Sequence, residues 1–176
     1  MYVPLSAADI VRAFDALDKE LARREQHGRI AVAGGAALVL LFEARETTKD
    51  VDAYFFRPEP SILRDAAAHV AAELGLPDDW LNDAAKGYFV GVTLGALLYE
   101  SPNLEVRAVT LVQLLAMKLA AWRDAIDRTD ARLLLKEIEG SKAEVWALIQ
   151  RLVPPRDLQK AAYAFDDLWE TTNGTS

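Results

Sequence analysis

Asp50 and Asp52 stand one residue apart, fifteen positions after the glycine pair Gly34-Gly35. The stretch between Ile30 and Phe56 reads IAVAGGAALVLLFEARETTKDVDAYFF. On a strand, the period of two puts both carboxylates on one face, roughly 6.5–7 Å apart. Oxygen ligands at that spacing can share hard divalent cations such as Mg2+. Two such cations can hold the attacking and leaving oxygens of an in-line displacement. Glycines lack Cβ, so the backbone at Gly34 and Gly35 can approach a phosphate. A helix starting at Ala36 aims its first N–H groups at that phosphate. Arg45 and Lys49 flank the acids and can pair with phosphate oxygens, while Thr47 and Thr48 hydrogen-bond there or shape the loop. Each part alone is weak: Asp-x-Asp is common by chance, Gly-Gly often marks a packing turn, and basic residues are often solvated. The order of strand, Gly-Gly, helix, basic residue and Asp-x-Asp strand carries the reading of a nucleotide or phosphate site.

The elements that must position these residues follow from patterning. Ser6 and Asp9 open a helix as a variant capping box, with Ile10, Phe14, Leu17 and Leu21 at helical spacing and Gly28 as its stop. Ile30–Ala33 reads as a buried strand, Gly34-Gly35 as a turn and Ala36–Glu43 as a helix. Lys49–Phe56 is the second strand; Val51, Ala53 and Phe55 face one way, and Asp50, Asp52 and Tyr54 the other. Ser61 caps a third helix that Gly75 and Pro77 close. Asp78–Lys86 reads as a loop or short helical turn in which Trp80, Asn82 and Asp83 either wall a pocket or anchor the loop. Tyr88–Glu100 and Leu104–Val109 form a hairpin around Ser101-Pro102-Asn103. Thr110 and Gln113 cap the next helix, and Thr129, Ser141 and Pro154-Pro155 start three more. The expected fold is α+β, a small mixed β-sheet flanked by helices, with a helical C-terminal half. The expected domains are residues 1–109 and 110–176.

Composition bounds the rest. The 176 residues are 52% hydrophobic and 27% charged, which suits an ordinary globular chain with a real core. Cysteine is absent, so disulfides and cysteine-based zinc sites are excluded. A net charge of −7 argues against broad, non-specific nucleic-acid binding but leaves room for a local basic site. The longest apolar run, Ile30–Phe42, is too short to span a bilayer. The N-terminus lacks the basic start and apolar core of a secretory signal, so a cytoplasmic protein without membrane contact is expected. His27 and His69 have no partners at ligand spacing. Trp122, Trp146 and Trp169 sit at apolar helical positions, as core residues do. Arg123, Asp124, Asp127, Arg128 and Asp130 cluster at a helix–helix junction, where surface salt bridges are the usual outcome.

GGAAL followed by ARETTKDVDAYF resembles the nucleotidyltransferase superfamily related to DNA polymerase beta. DDWLND at Asp78–Asp83 and LLAMKLAAWRDAIDRTDARLLL at Leu114–Leu135 look like the small bacterial proteins akin to AbiEii-type toxins. The resemblance covers most of Ile30–Leu135. It implies the nucleotidyltransferase fold and transfer of a nucleoside monophosphate from a nucleoside triphosphate such as ATP to an acceptor hydroxyl, with pyrophosphate released. It implies that Gly34 and Gly35 hold the triphosphate, that Asp50 and Asp52 bind Mg2+, and that Lys118 reaches the nucleotide phosphates. The superfamily often carries a third carboxylate on a later strand, and Glu105 in NLEVRAV is the candidate. Arg107, two residues on, is its natural ion-pair partner. The acceptor implied is an RNA, particularly a transfer-RNA end, or a protein side chain, and a toxin–antitoxin setting implies a cognate antitoxin. Two other readings stand beside this one: a non-catalytic nucleotide-binding or regulatory module of the same fold, and a transferase acting on an aminoglycoside-like hydroxyl substrate. For Lys118 a lysine snorkelling from the edge of the core is the structural alternative.

Overall fold

A helix leaves its first N–H groups without intrahelical partners, and the first helix solves this with two side chains. The Asp9 N–H donates to Ser6 Oγ at 3.2 Å, and the Ser6 N–H donates to the Asp9 carboxylate at 2.9 Å. The computed structural model describes residues 3–174. It is an α+β protein with a small mixed β-sheet flanked by helices, and its chain divides into two compact units.

The first unit holds the chain up to Lys86 together with Leu94–Val109. Its elements are β1 (Leu5–Ser6), α1 (Ala7–Arg23), β2 (Gly28–Ala33), α2 (Gly34–Leu41), β3 (Thr47–Thr48), β4 (Val51–Arg57), α3 (Pro60–Leu74), β5 (Leu81–Asn82), β6 (Leu97–Ser101) and β7 (Leu104–Ala108). The main sheet runs β5-β4-β2-β7-β6, with β2 antiparallel to β4 and parallel to β7. On β4, Val51, Ala53 and Phe55 are buried while Asp52 and Tyr54 stay part-exposed, which is the alternation of a strand with one covered face. Phe14 of α1 packs near Trp80 and Tyr99, at ring separations of 6.3 and 5.5 Å. Among the described residues no helix is long and apolar enough to cross a membrane.

Several local expectations are corrected here. α1 ends at Arg23, and Gly28 opens β2 instead of stopping the helix; a Cβ there would lie 2.8 Å from Leu21 Cδ1, so the glycine serves close packing. The helix after the glycine pair includes both glycines and ends at Leu41. Ser61 caps nothing, because Pro60 takes the first helical position, where its missing N–H costs nothing. Asp78–Lys86 contributes a two-residue strand, β5, before a 3-10 turn over Ala84–Tyr88. Of the segment Tyr88–Glu100 only the last four residues are strand, as part of β6 (Leu97–Ser101). Trp80 is fully buried and donates from Nε1 to the Ala67 carbonyl at 2.9 Å, whereas Trp122, Trp146 and Trp169 remain part-exposed.

The second unit holds Gly87–Thr93 and the chain from Thr110 onward. Its helices are α4 (Leu111–Ala121), α5 (Ala125–Lys136), α6 (Lys142–Ile149) and α7 (Leu158–Asn173). Gly87–Thr93 falls here because side chains sew it to this unit. The buried Gln113 accepts from the Thr93 N–H at 2.8 Å and donates to the Gly91 carbonyl at 2.9 Å. Arg156 donates to the Gly87 carbonyl at 2.7 Å. Gln113 therefore makes only half of the expected capping box: its N–H donates to Thr110 Oγ1, and its side chain goes to the strap. Thr129 lies inside α5, donating to the Ala125 carbonyl at 2.9 Å, and Asp124 is the true cap. Ser141 and Glu144 form a complete capping box on α6.

Candidate functional site

Backbone hydrogen bonding brings Asp52 to the glycine pair. Asp52 pairs directly with Ala33, the last residue of β2, so its carboxylate meets the chain where β2 turns into α2. Gly34 makes that turn with φ of +63°, a left-handed conformation glycine adopts without penalty. A Cβ on Gly34 would lie 3.2 Å from Asp52 Oδ2. On Gly35 it would lie 2.7 Å from Thr48 Oγ1 and 2.9 Å from Arg45 Nη2. Both glycines therefore leave space that a carboxylate, a hydroxyl and a guanidinium approach closely. The N-cap of α2 is Ala33, which supplies no side-chain cap, in contrast to Ser6, Thr110, Asp124 and Ser141 on other helices. An anion is the natural complement of such a helix end.

The loop before β4 is held from three sides. β1 pairs with β3 and sets Leu5 opposite Thr48. Arg45 Nε donates to the Thr47 carbonyl at 3.0 Å, and Thr48 Oγ1 donates to the Asp50 carbonyl at 3.2 Å. Lys49 is exposed beside them. Burial pushes the Asp50 carboxyl above its ordinary range; the Lys49 charge opposes this, Asp79 adds to it, and the Asn82 side chain opposes it by hydrogen bonding. Asn82 belongs to the site through register, since β5 sets it opposite Asp52. Sequence pattern left Asn82 either walling a pocket or in an anchored loop, because a two-residue strand has no periodicity to read. Asp79 entered the sequence reading only as part of the DDWLND segment.

The same register moves Glu105 away. It pairs with Arg29 near the start of β2, four residues from Ala33, or roughly 13 Å along the strand. Arg29 Nε and Arg107 Nε both donate to Glu105 Oε1 at 3.1 Å. The expectation of Glu105 as a third catalytic acid is corrected on that ground: it is an ion-paired residue at the far end of the strand. Among the described residues no group of three or more His, Cys, Asp or Glu could hold a metal ion. A Mg2+ ion needs only one or two carboxylates when phosphates and water complete its shell, so Asp50 and Asp52 fit it in the company of a polyphosphate.

Lys118 lies in the second unit, almost buried, with its ammonium 3.0 Å from Asp127 and 2.8 Å from Asp130. Asp127 also accepts from the Arg123 N–H at 2.9 Å and from Arg123 Nε at 3.2 Å. Burial opposes the charge on Asp127, but the Arg123 and Lys118 donors outweigh it and hold its pKa below the ordinary value. Here Lys118 answers two buried carboxylates at the α4–α5 junction. No protein-family model matches the chain, and no curated protein matches it.

Proposed function

We propose that this chain is a Mg2+-dependent nucleotidyltransferase. The observation that supports this reading is the approach of Asp52 Oδ2 to Gly34 at the uncapped start of α2, with Arg45 and Thr48 against Gly35. The glycine turn lies on β2 and α2 and Asp52 on β4, while Arg45 and Asp50 lie on the segments flanking β3. The first-turn N–H groups of α2 and the Arg45 guanidinium bind the triphosphate, and Asp50 and Asp52 hold the cation. The cation, when bound, neutralises phosphate charge. An acceptor hydroxyl oxygen bonds to the α-phosphorus, the bond from that phosphorus to the bridging oxygen breaks, and pyrophosphate leaves. The hydroxyl proton passes to water, since Glu105 is elsewhere. The contribution of the chain is positioning and charge placement.

The test is label transfer. The full chain is incubated with Mg2+ and each α-labelled nucleoside triphosphate, with total RNA, its own polypeptide or an aminoglycoside as acceptor. Transfer abolished by Asp50→Ala and by Asp52→Ala supports the proposal, and the labelled acceptor names the substrate class. A second reading, a non-catalytic nucleotide-binding module, is favoured by one observation: the expected third acid is locked between two arginines. Triphosphate binding without transfer to any acceptor selects it.

A further inference from the structure

Tyr163 keeps 69% of its surface exposed in the middle of α7. At about 3.6 residues per turn, Gln159, Lys160, Asp166, Asp167 and Glu170 lie within roughly 60° of it around the helix. All five are exposed, so α7 turns one continuous uncovered face outward. A recess runs along each side of Tyr163. One, of about 510 Å3, is lined by Trp122 and Ala164. The other, of about 340 Å3, is lined by Trp146 and Phe165. The charges on this face are ordered along the helix. Lys160 stands in the first turn, Asp166 and Asp167 in the second half, and Glu170 in the last turn. A helix starts with partial positive charge and ends with partial negative charge, so Lys160 and Glu170 each meet a like charge in α7 alone.

Some of these charges are answered within the chain. Lys142 of α6 lies 2.9 Å from Asp166, and Arg156, just before α7, lies 3.5 Å from Asp157. Lys160 donates to the Ala121 carbonyl at 2.7 Å and keeps two N–H groups for other acceptors. Two copies of α7 laid antiparallel about a two-fold axis at Tyr163 answer the rest. That axis stacks Tyr163 on its own copy and sets Lys160 beside Asp167 of the second copy, twice. Each acidic helix end then lies along the basic start of its neighbour. Parallel pairing would instead set Asp167 against Asp167 and Glu170 against Glu170. We propose that the α7 face centred on Tyr163 pairs with the same face of a second copy of this chain. The Tyr163 ring is its central anchor and the Lys160–Asp167 pairs form its polar rim. Nothing in this pairing rests on the transferase reading.

The experiment is sedimentation equilibrium of the full chain from dilute to concentrated solution. One helix face buries less than about 1,200 Å2, so the expected state is a concentration-dependent monomer–dimer equilibrium, with a dissociation constant below about 1 mM. Tyr163→Ala weakens it on the order of thirtyfold. Lys160→Glu alone and Asp167→Lys alone each weaken it, because like charges then face each other across the axis. An equimolar mixture of these two variants associates again, since opposite charges meet at both rungs of the mixed pair. The melting temperature of each variant shows that it remains folded. The proposal is overturned if the wild type shows no dimer at about 1 mM, which would leave this face to a different partner. It is also overturned if Tyr163→Ala dimerises as well as wild type, or if the mixture associates no better than either variant alone; a dimer with either property uses another surface.

Discussion

Asp127 and Asp130 share the ammonium of Lys118, with Arg123 adding a guanidinium and an N–H. Asp50 stands half-buried just before β4 with burial and Asp79 raising its pKa, and Asp52 faces the Gly34 turn. Both pairs are carboxylates withdrawn from bulk water. At the α4–α5 junction the cations come from the chain itself, and the balance favours ionised Asp127. At the β4 site ionised Asp50 is left at a net cost, which a ligand cation would offset. Ionised Asp127 is favoured by the donors around it, whereas ionised Asp50 is disfavoured by its burial. The contrast separates two acidic clusters that spacing alone does not distinguish.

The largest effect that sharpens this comparison comes from removing the internal cation. Lys118→Met removes the ammonium that the buried Asp127 and Asp130 share and lowers stability by about 3–5 kcal/mol, read by urea or thermal unfolding. A loss no larger than a surface substitution would place this cluster with solvated ion pairs. Gly34→Ala is next. It forces a Cβ into a left-handed turn and toward Asp52, costing roughly 1–2 kcal/mol of stability. Its effect on triphosphate binding exceeds that of Gly75→Ala, where the turn is also left-handed but nothing lies within 4 Å.

Asp50→Asn moves the other way. The folded state binds the Asp50 proton more tightly than the unfolded chain, so Asp50 lowers stability as pH rises from 3.8 through its folded value. The asparagine variant is therefore more stable than wild type at neutral pH, by under about 1 kcal/mol after solvent screening. That gain vanishes in acid, where the carboxyl is protonated in both states. Asp127 has the opposite sign. Its folded pKa is depressed, so its contribution is present above 3.8 and is lost as pH falls from there through the folded value. Thermal unfolding of Asp50→Asn and Asp127→Asn across that range gives curves that diverge from wild type in opposite directions.

What could be read in the chain was local or periodic. Ser6 with Asp9, Ser141 with Glu144 and Gly75 at a helix end follow short-range rules, and the structure places all three as caps. The Asp52 and Tyr54 face followed from a period of two. Features that depend on strand register were not legible. Nothing in NLEVRAV says that β7 runs parallel to β2 with Glu105 beside Arg29. Gln113 looked like a capping partner for Thr110, yet its amide holds a strap about twenty residues away. Asp124 and Thr129 are both acceptable caps in isolation, and the left-handed Trp122 turn selected the first. Of the candidate site, the residues around the glycine turn came from spacing, while Asn82 needed the pairing of β5 with β4.

The most direct measurement is the melting temperature of wild type, Asp52→Asn and Lys142→Ala with and without Mg2+ and a non-hydrolysable nucleoside triphosphate. Ligand that binds only the folded state stabilises it by about 2.7 kcal/mol at a hundred times its dissociation constant. Wild type and Lys142→Ala show a Mg2+-dependent rise, and Asp52→Asn shows none. An equal rise in all three, or none in wild type, would contradict the role of Asp52 in holding the cation and triphosphate.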